Sequence, residues 1–268
     1  MNGVSCEIYS RTTSWNPWHG CRKVSRGCQN CYMFEGNRLR GIPGSSTVRR
    51  SSTQFDRPVR KDRNGRYVLN DVLVMTSMTS DFFIEEADEW REEAWRMISK
   101  RKDLTFEILT KRPERIMESL PKDWGDGYRN VRMSVSTEDQ DAWDKRVPIL
   151  MSIPARKRDV FVAPMIGRID GDKELSEGSI DAVFVGGEYG HGEVRPCDVE
   201  WVSSLRESCV SNDVTFIWRN CGTLLIKDGE MSRYDSLAEQ SLICSSTGMD
   251  YIVDPILPKR AAEQTRLF

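Results

Sequence analysis

The chain has 268 residues, of which 38% are hydrophobic and 30% are charged, and its net charge is −2. This length allows one large domain or two small ones with a substantial core. No apolar run reaches the ~20 residues of a membrane-spanning helix, and the first residues lack the charged start and apolar stretch of a signal peptide. We therefore expect a cytoplasmic protein with no membrane partner, whose eight cysteines form no disulfide framework.

The small net charge hides an uneven distribution along the chain. Residues 11–66 contain thirteen Lys or Arg and three acids, a balance of +10, whereas residues 67–268 carry −11. A basic segment of this kind can mark a surface that binds nucleic acid or another polyanion. The alternative is a solvated loop whose arginines pair with acids elsewhere in the chain.

Strand-like and helix-like segments alternate along the chain. Apolar, β-rich runs predict seven strands, at residues 12–15, 72–77, 106–110, 131–136, 159–167, 182–188 and 215–222. Helical patterns lie between most of these strands, at residues 32–41, 85–102, 113–120, 139–153 and 199–213. Pro148 is expected to kink or end the fourth of these helices.

Strands that are nearly continuous in apolar residues are buried on both faces and are usually parallel. The pattern therefore predicts an α/β fold, a complete or partial (β/α) barrel of the TIM type over residues 1–227. A basic insertion, rich in Ser and Arg, is expected near residues 41–70. Residues 228–268 are expected to form a C-terminal extension that packs on the barrel.

The most informative stretch is SWNPWHGCRKVSRGCQNCY, residues 14–32, which begins within the first predicted strand. It holds Cys21, Cys28 and Cys31 with the spacing C-x6-C-x2-C. Three thiolates on one short loop suit a metal centre. They suit especially a [4Fe–4S] cluster, because such clusters are held by closely spaced cysteines, and a cube with three ligands leaves one iron open.

A structural zinc site is the alternative interpretation of these cysteines, with His19 as the fourth ligand. C-x2-C pairs are common in zinc sites, but these sites usually supply a second matching pair. The sequence contains no such pair, and the other histidine, His191, is distant. In the cluster interpretation, Arg22, Lys23 and Arg26 would offset the negative charge of the thiolate-ligated cluster.

Polar and glycine residues follow the predicted strands. In a parallel barrel, ligands bind at the carboxyl ends of the strands. The candidates at these ends are Thr76, Ser77, Thr79, Lys111, Arg112, Ser134, Ser136, Gly186, Gly187, Glu188, Asn220 and Cys221. Lys111 and Arg112 could bind a carboxylate, and Glu188 could receive an ammonium or a ribose hydroxyl. The alternative for Glu188 is an ion pair with a nearby arginine.

The C-x6-C-x2-C stretch, with SWNPWHGC at its start and Tyr32 directly after its last cysteine, resembles a family of phage-encoded and bacterial radical S-adenosylmethionine (SAM) proteins. These are often described as phage proteins of unknown function. Further segments of the family pattern recur in order, namely TSMTSDFF (76–83), ILTKRPER (108–115), SVSTE (134–138), VGGEYGHGEVRP (185–196) and WVSSLRESC (201–209). The resemblance covers about residues 12–222. It implies a partial (β/α) barrel, a [4Fe–4S] cluster on the three cysteines, and SAM at the open iron.

The resemblance also implies a mechanism. A cluster reduced by a reductase or a flavodoxin-type donor would split SAM into methionine and a 5′-deoxyadenosyl radical, which abstracts hydrogen from the substrate. Tyr32 and the strand-end residues would bind SAM, with Lys111, Glu188 and Cys221 as catalytic candidates. Cys221 could return a hydrogen atom to a product radical, and its alternative is a buried core residue.

Three classes of function stay open at the level of the sequence. The first is a radical SAM enzyme that acts on nucleic acid or a nucleotide, suggested by the basic segment and the phage association. The second is a radical SAM enzyme that acts on a small metabolite or a peptide. The third is a zinc-dependent nucleic-acid-binding protein without catalytic activity.

Overall fold

The computed structural model describes residues 12–70 and 73–253. In chain order, the described strands are β1 (Thr12–Trp15), β2 (Trp18–His19), β3 (Arg49–Arg50), β4 (Leu73–Thr76), β5 (Thr105–Thr110), β6 (Val131–Thr137), β7 (Arg158–Val162), β8 (Ala182–Gly186), β9 (Cys197–Asp198), β10 (Thr215–Asn220), β11 (Leu224–Lys227) and β12 (Glu230–Arg233). The α-helices are α1 (Tyr32–Leu39), α2 (Asp88–Lys100), α3 (Gln140–Ser152), α4 (Asp172–Ser176), α5 (Val199–Ser211) and α6 (Leu237–Ser246). No helix in these ranges is long and apolar enough to cross a membrane. Val72, where the second strand was predicted to begin, lies outside the described residues.

Seven strands form one sheet in which all neighbours are parallel. Their spatial order, β1-β4-β5-β6-β7-β8-β10, is also their order along the chain. The sheet curls into a half-barrel, and β1 does not pair with β10. The fold is therefore mixed α/β, and it corresponds to the partial form of the predicted barrel rather than to the complete form.

Other parts of the chain cover both outer edges of the half-barrel. At the β1 edge, the Arg57 guanidinium donates to the Ser14 carbonyl at 2.8 Å. At the β10 edge, the backbones of Phe216 and Tyr251 exchange two hydrogen bonds of 2.7 and 2.8 Å. Unpaired edge groups would invite pairing with another chain. These contacts satisfy backbone groups that a closed barrel would satisfy through strand pairing.

Two apolar clusters use opposite faces of the sheet. Side chains alternate between the faces along a strand, so Val160 and Val183 join the larger cluster with the helices, whereas Phe161 and Phe184 point the other way. The two phenylalanine rings stack at 4.4 Å with an interplanar angle of 17°. The smaller cluster consists of Leu73, Met75, Phe161, Ala182, Phe184 and Ile217. It gives the second face of the sheet an apolar floor.

The helix around Pro148 does not stop at the proline. The sequence predicted a kink or a stop at this proline, but α3 continues to Ser152. Val147 and Leu150 are fully buried on either side of it. Their packing offsets the hydrogen bond that a proline removes from a helix. Two further differences are local: residues 113–120 form two 3-10 turns instead of one helix, and the short α4 was not predicted.

The fifth predicted strand, 159–167, ends early, at Val162. Beyond this point the chain crosses to its neighbours instead of extending the strand. The Met165 amide donates to the Gly186 carbonyl at 2.8 Å, and the Ile166 amide donates to the Glu138 carbonyl at 2.9 Å. The segment after β7 therefore ties together the carboxyl ends of β6 and β8.

The C-terminal part of the described chain packs on the last strand of the half-barrel. The predicted boundary at 227/228 falls in the turn of the β11–β12 hairpin, and β11 also pairs with β9. Helix α6 packs against β10. Residues 254–268 of the predicted extension lie outside the described residues.

Candidate functional site

The cysteine loop, residues 20–31, lies across the carboxyl ends of the parallel strands. At its start, the Gly20 amide donates to the Thr79 carbonyl, after β4, at 3.1 Å. Gly20 has a φ of +96°, and a Cβ there would lie 2.2 Å from the Thr47 carbonyl oxygen, so this close approach requires glycine. After β5, Arg112 Nη2 donates to the Arg22 carbonyl at 2.8 Å.

The middle and end of the loop are held by two buried carboxylates. The Gly27 amide donates to Glu138 Oε1, after β6, at 3.1 Å, and Asn30 Nδ2 donates to Glu188 Oε2, after β8, at 2.9 Å. A Cβ on residue 27 would lie 2.8 Å from Glu138 Oε2. Glu138 is also paired with Arg146 at 2.9 Å. Although burial raises the pKa of Glu138, these hydrogen bonds and the Arg146 charge bring it below its usual value.

The three thiols of the loop are free and half-buried. Burial raises the pKa of Cys21 to about 11, and the charge of Asp81 acts in the same direction, whereas Arg112 opposes the shift. Cys28 also contributes to the pKa of Cys21, which places these two thiols in the same electrostatic environment. Cys31 immediately precedes α1. The loop therefore presents all three predicted ligands at the carboxyl edge.

The candidate metal ligands of this region are the three thiols of the loop. Among the described residues, no three Cys, His, Asp or Glu side chains are already arranged to hold a metal ion, so binding would require the three thiols to converge. His19, the fourth ligand in the zinc interpretation, is engaged by Asn37 Nδ2 at 2.9 Å. Three thiols alone fit a [4Fe–4S] cluster with an open iron. A structural zinc site needs four ligands.

Lys111 lies beside this loop, close enough to Cys28 and Glu138 to feel their charges. Its ammonium donates to Ser136 Oγ, which in turn donates to the Ala163 carbonyl at 3.1 Å. Burial lowers the pKa of Lys111, while the charges of Cys28 and Glu138 act in the opposite direction. The nearby carboxylates are paired with other cations, Asp81 with Arg112 at 3.0 Å and Glu138 with Arg146 at 2.9 Å. A half-buried ammonium of this kind can accept the carboxylate of a ligand.

Three buried side-chain atoms at strand ends have no hydrogen-bond partner within residues 12–70 and 73–253. They are Ser77 Oγ, Thr137 Oγ1 and Asn220 Oδ1, after or at the ends of β4, β6 and β10. Ser77 also has a left-handed backbone, with a φ of +61°. A buried polar group without a partner costs about 1–3 kcal/mol. These atoms are therefore positions at which a polar ligand would gain hydrogen bonds.

Other predicted cofactor-binding hydroxyls are used within the protein. Thr76 is completely buried and donates to the backbone of its own strand. Thr79 Oγ1 donates to the Trp18 carbonyl at 3.4 Å, at the base of the cysteine loop. Ser134 Oγ donates to Glu107 inside the sheet. Their contacts support the framework around the site.

The two glycines after β8 allow strand ends to meet. A Cβ on Gly186 would lie 2.9 Å from Asn220 Nδ2, and one on Gly187 would lie 2.3 Å from the Cys221 carbonyl oxygen. Both glycines were predicted to lie at the ligand-binding end of the strand. In the structure, the backbone after β10 fills the space beside Gly187.

Glu188 is held by Arg195 and Asn30. Arg195 donates to it through Nε at 3.0 Å and through its backbone amide at 2.8 Å. The same guanidinium donates to the Arg26 carbonyl of the cysteine loop at 2.9 Å. Burial raises the pKa of Glu188, but the bonds from Arg195 and Asn30 outweigh it and lower the pKa. These contacts match the ion-pair alternative for Glu188, and they tie its carboxylate to the loop.

Cys221 lies in the larger apolar cluster and is completely buried. A hydrogen bond with Cys244 lowers its pKa, and Cys197 belongs to the same cluster. This placement matches the buried-core alternative for Cys221. Tyr32, in contrast, is at the site: its hydroxyl donates to the Met78 carbonyl at 2.5 Å, immediately after β4.

Three residues that organise this site were not among the predicted site residues: Asp81, Glu138 and Arg195. Asp81 accepts from Thr110 Oγ1 at 2.7 Å and pairs with Arg112 at 3.0 Å. A usable signal existed for the two acids, because each follows a predicted strand within five residues. Arg195 had no such signal, since its partner is defined only by the fold.

A search of curated proteins found no match, and a search of solved structures found none either. A family model described as "Protein of unknown function (DUF5131)" matches residues 5–248. Since this match covers most of the 268 residues, the chain belongs to the DUF5131 family of proteins of unknown function.

Proposed function

We propose that this protein is a radical SAM enzyme that holds a [4Fe–4S] cluster on Cys21, Cys28 and Cys31 and binds SAM at the open iron. One observation carries the proposal. A loop with three free thiols lies across the carboxyl edge of a parallel half-barrel. Three cysteines leave one iron of such a cluster open, and this edge is where related α/β folds bind ligands.

The residues around the loop fit the parts of SAM. When bound, the cluster would supply an electron to the sulfonium. Lys111 offers an ammonium to the methionine carboxylate, and Ser77 and Asn220 offer unpaired polar atoms. The stacked Phe161 and Phe184 form part of an apolar floor on one face of the sheet, which would keep water away from reactive groups.

We favour a small metabolite or a peptide as the substrate over a nucleic acid that binds along the basic insertion. Two charges of that insertion have partners within the chain: the Arg50 guanidinium lies 3.6 Å from the centre of the Phe55 ring, and Arg57 donates to the Ser14 carbonyl at 2.8 Å. The Arg101 side chain donates to the carbonyls of Pro58 and Leu69, which places residues 58–69 of the insertion near the amino end of β5, opposite the cysteine loop. Nucleic acid or a nucleotide stays the alternative substrate.

Two further parts of the proposal concern the surroundings of the enzyme. Single-electron chemistry at the cluster requires an electron donor, for which a reductase or a flavodoxin-type protein is the prediction. A cytoplasmic location is also a prediction, since a reducing compartment keeps thiols available for cluster assembly.

Anaerobic purification followed by iron, sulfide and zinc analysis tests the metal. We expect about four irons per chain, as a cube-type cluster requires. The protein is then incubated with dithionite and SAM, and 5′-deoxyadenosine is measured by mass spectrometry. The expected result is reductant-dependent formation of 5′-deoxyadenosine. An omission of dithionite serves as the control.

The same preparation distinguishes the zinc-binding alternative. Stoichiometric zinc without iron, together with no cleavage of SAM, would refute the proposal. Iron and sulfide without any cleavage of SAM would support the cluster but refute the assignment of SAM as the cofactor.

A further inference from the structure

Arg112 connects the cysteine loop to the carboxyl end of β5. Its side chain is almost completely buried, with 7% of its surface exposed. Nη1 lies 4.0 Å from Cys21 Sγ and 3.0 Å from Asp81 Oδ2, and Nη2 donates to the Arg22 carbonyl at 2.8 Å. The guanidinium therefore contacts a predicted cluster ligand, the backbone of the next residue, and a buried carboxylate.

Asp81 fixes the orientation of this guanidinium. Its Oδ1 accepts from Thr110 Oγ1 at 2.7 Å and from the Phe83 amide at 3.0 Å, and its Oδ2 accepts from the Lys111 amide at 3.0 Å as well as from Arg112. The carboxylate is thus saturated from the ends of two strands. Because a guanidinium is planar and presents its donors in a rigid fork, a fixed carboxylate on one side also fixes the donor that faces Cys21.

We propose that Arg112 is a positioning residue that sets the reduction potential of the cluster through Cys21, an inference that rests on the proposed function. Reduction adds negative charge to the cluster and its thiolates. A buried cation beside one sulfur stabilises that added charge, and hydrogen bonds to the sulfurs are among the factors that set cluster potentials. Arg112 therefore makes the cluster easier to reduce. Lys111, and not Arg112, binds the methionine carboxylate of SAM in this proposal.

The test measures the midpoint potential of the cluster in anaerobic protein by redox titration followed by electron paramagnetic resonance. We expect Arg112→Gln to lower the midpoint potential, with at least a tenfold loss in the reduction equilibrium constant, or about 59 mV for one electron. Arg112→Lys keeps the charge but lacks the fork, so its midpoint should fall between those of Arg112→Gln and the wild type. Arg96→Gln is the matched control, because Arg96 is exposed on α2 and pairs with Glu92.

The outcomes separate this inference from the proposed function. A wild-type protein that assembles no iron–sulfur cluster refutes the proposed function on which the inference rests. If the wild type holds a cluster, the inference is overturned when an Arg112 variant retains its iron and has the same midpoint potential as the wild type. If Arg112→Gln loses its iron, Arg112→Lys decides, and its midpoint must lie below that of the wild type and of Arg96→Gln.

Discussion

The described cysteines form two groups that differ in burial. Those of the loop are half-buried at the carboxyl edge: Cys21, Cys28 and Cys31. The others are at most 2% exposed and lie in the larger apolar cluster: Cys197, Cys209, Cys221 and Cys244. The same side chain thus serves as a potential ligand where a loop leaves it accessible, and as a small apolar residue where it packs among helices and strands. Spacing alone already separated the first group from the second.

The largest expected effect comes from exchanging one cysteine in each group. Cys28→Ala should reduce the iron content from about four per chain to almost none, because a cube needs all three thiolates. Cys209→Ala, the matched control in α5, should keep its iron and lose about 1 kcal/mol of unfolding free energy. Iron analysis and urea denaturation measure the two effects. Equal iron content in both variants would contradict the assignment of the loop cysteines, and not the buried cysteines, as cluster ligands.

A second prediction concerns the approach of the loop to β6. Gly27→Ala places a Cβ 2.8 Å from Glu138 Oε2, and overpacking of this kind typically costs about 1–3 kcal/mol. The variant should therefore lose stability and retain less iron after gel filtration. Gly36→Ala is the control: a Cβ at this helical position meets only the end of Arg40, at 3.4 Å, and the variant should gain up to about 1 kcal/mol. Full iron retention by Gly27→Ala would show that this anchor is not needed.

Carboxylates at the carboxyl edge and inside the sheet also differ, and this difference predicts how stability depends on pH. Glu107, inside the sheet, has a pKa well above its usual value because of burial and the neighbouring Asp159. The folded protein keeps a proton there that the unfolded chain releases near pH ~4.3. The contribution of Glu107 to stability is thus present at low pH and is lost as the pH rises through the folded pKa.

Glu107→Gln should abolish this part of the pH dependence, because Gln resembles the protonated acid. Relative to the wild type, the variant should become more stable as the pH rises from 5 to 8, as measured by urea denaturation. Glu138, whose pKa is lowered, serves as the opposite case: its contribution is lost as the pH falls. A pH profile of Glu107→Gln parallel to that of the wild type would contradict the raised pKa.

The smallest expected effect concerns the basic insertion. The exposed Lys61 and Arg63 lie in a turn away from the cysteine loop, so Lys61→Glu with Arg63→Glu should leave iron content and SAM cleavage unchanged. Unfolding free energy should change by no more than about 0.5 kcal/mol. An anisotropy titration with duplex DNA and single-stranded RNA checks the alternative. A nucleic-acid substrate would be favoured if the wild type binds and the variant does not. Binding by the wild type should then weaken with salt, by a log–log slope of about −0.9 per duplex phosphate.

Local patterns were sufficient for most of the framework. All seven predicted strands of the half-barrel are present, and β1 matches its predicted bounds of 12–15. The helical pattern of residues 199–213 predicted Trp201, Val202, Leu205 and Cys209 to face inward; the last three are buried in α5, whereas Trp201 is half-buried. These predictions succeed because periodicity and strand propensity are properties of neighbouring residues. The prediction that the fifth strand extends to residue 167 was wrong, because contacts with the residues at the ends of β6 and β8 redirect the chain after Val162.

The sequence by itself determined the alternation of strands and helices and the grouping of three cysteines on one loop. Only the tertiary structure decided which side chains meet at that loop. Gly27 and Glu138 are 111 residues apart in the chain, and Arg57 donates a hydrogen bond to the Ser14 carbonyl at the edge of β1. Such pairings depend on how the sheet curls, and a local pattern carries no information about a partner that distant. The grouping of the candidate ligands was therefore readable in the chain, whereas the electrostatic surroundings of these ligands were set by the fold.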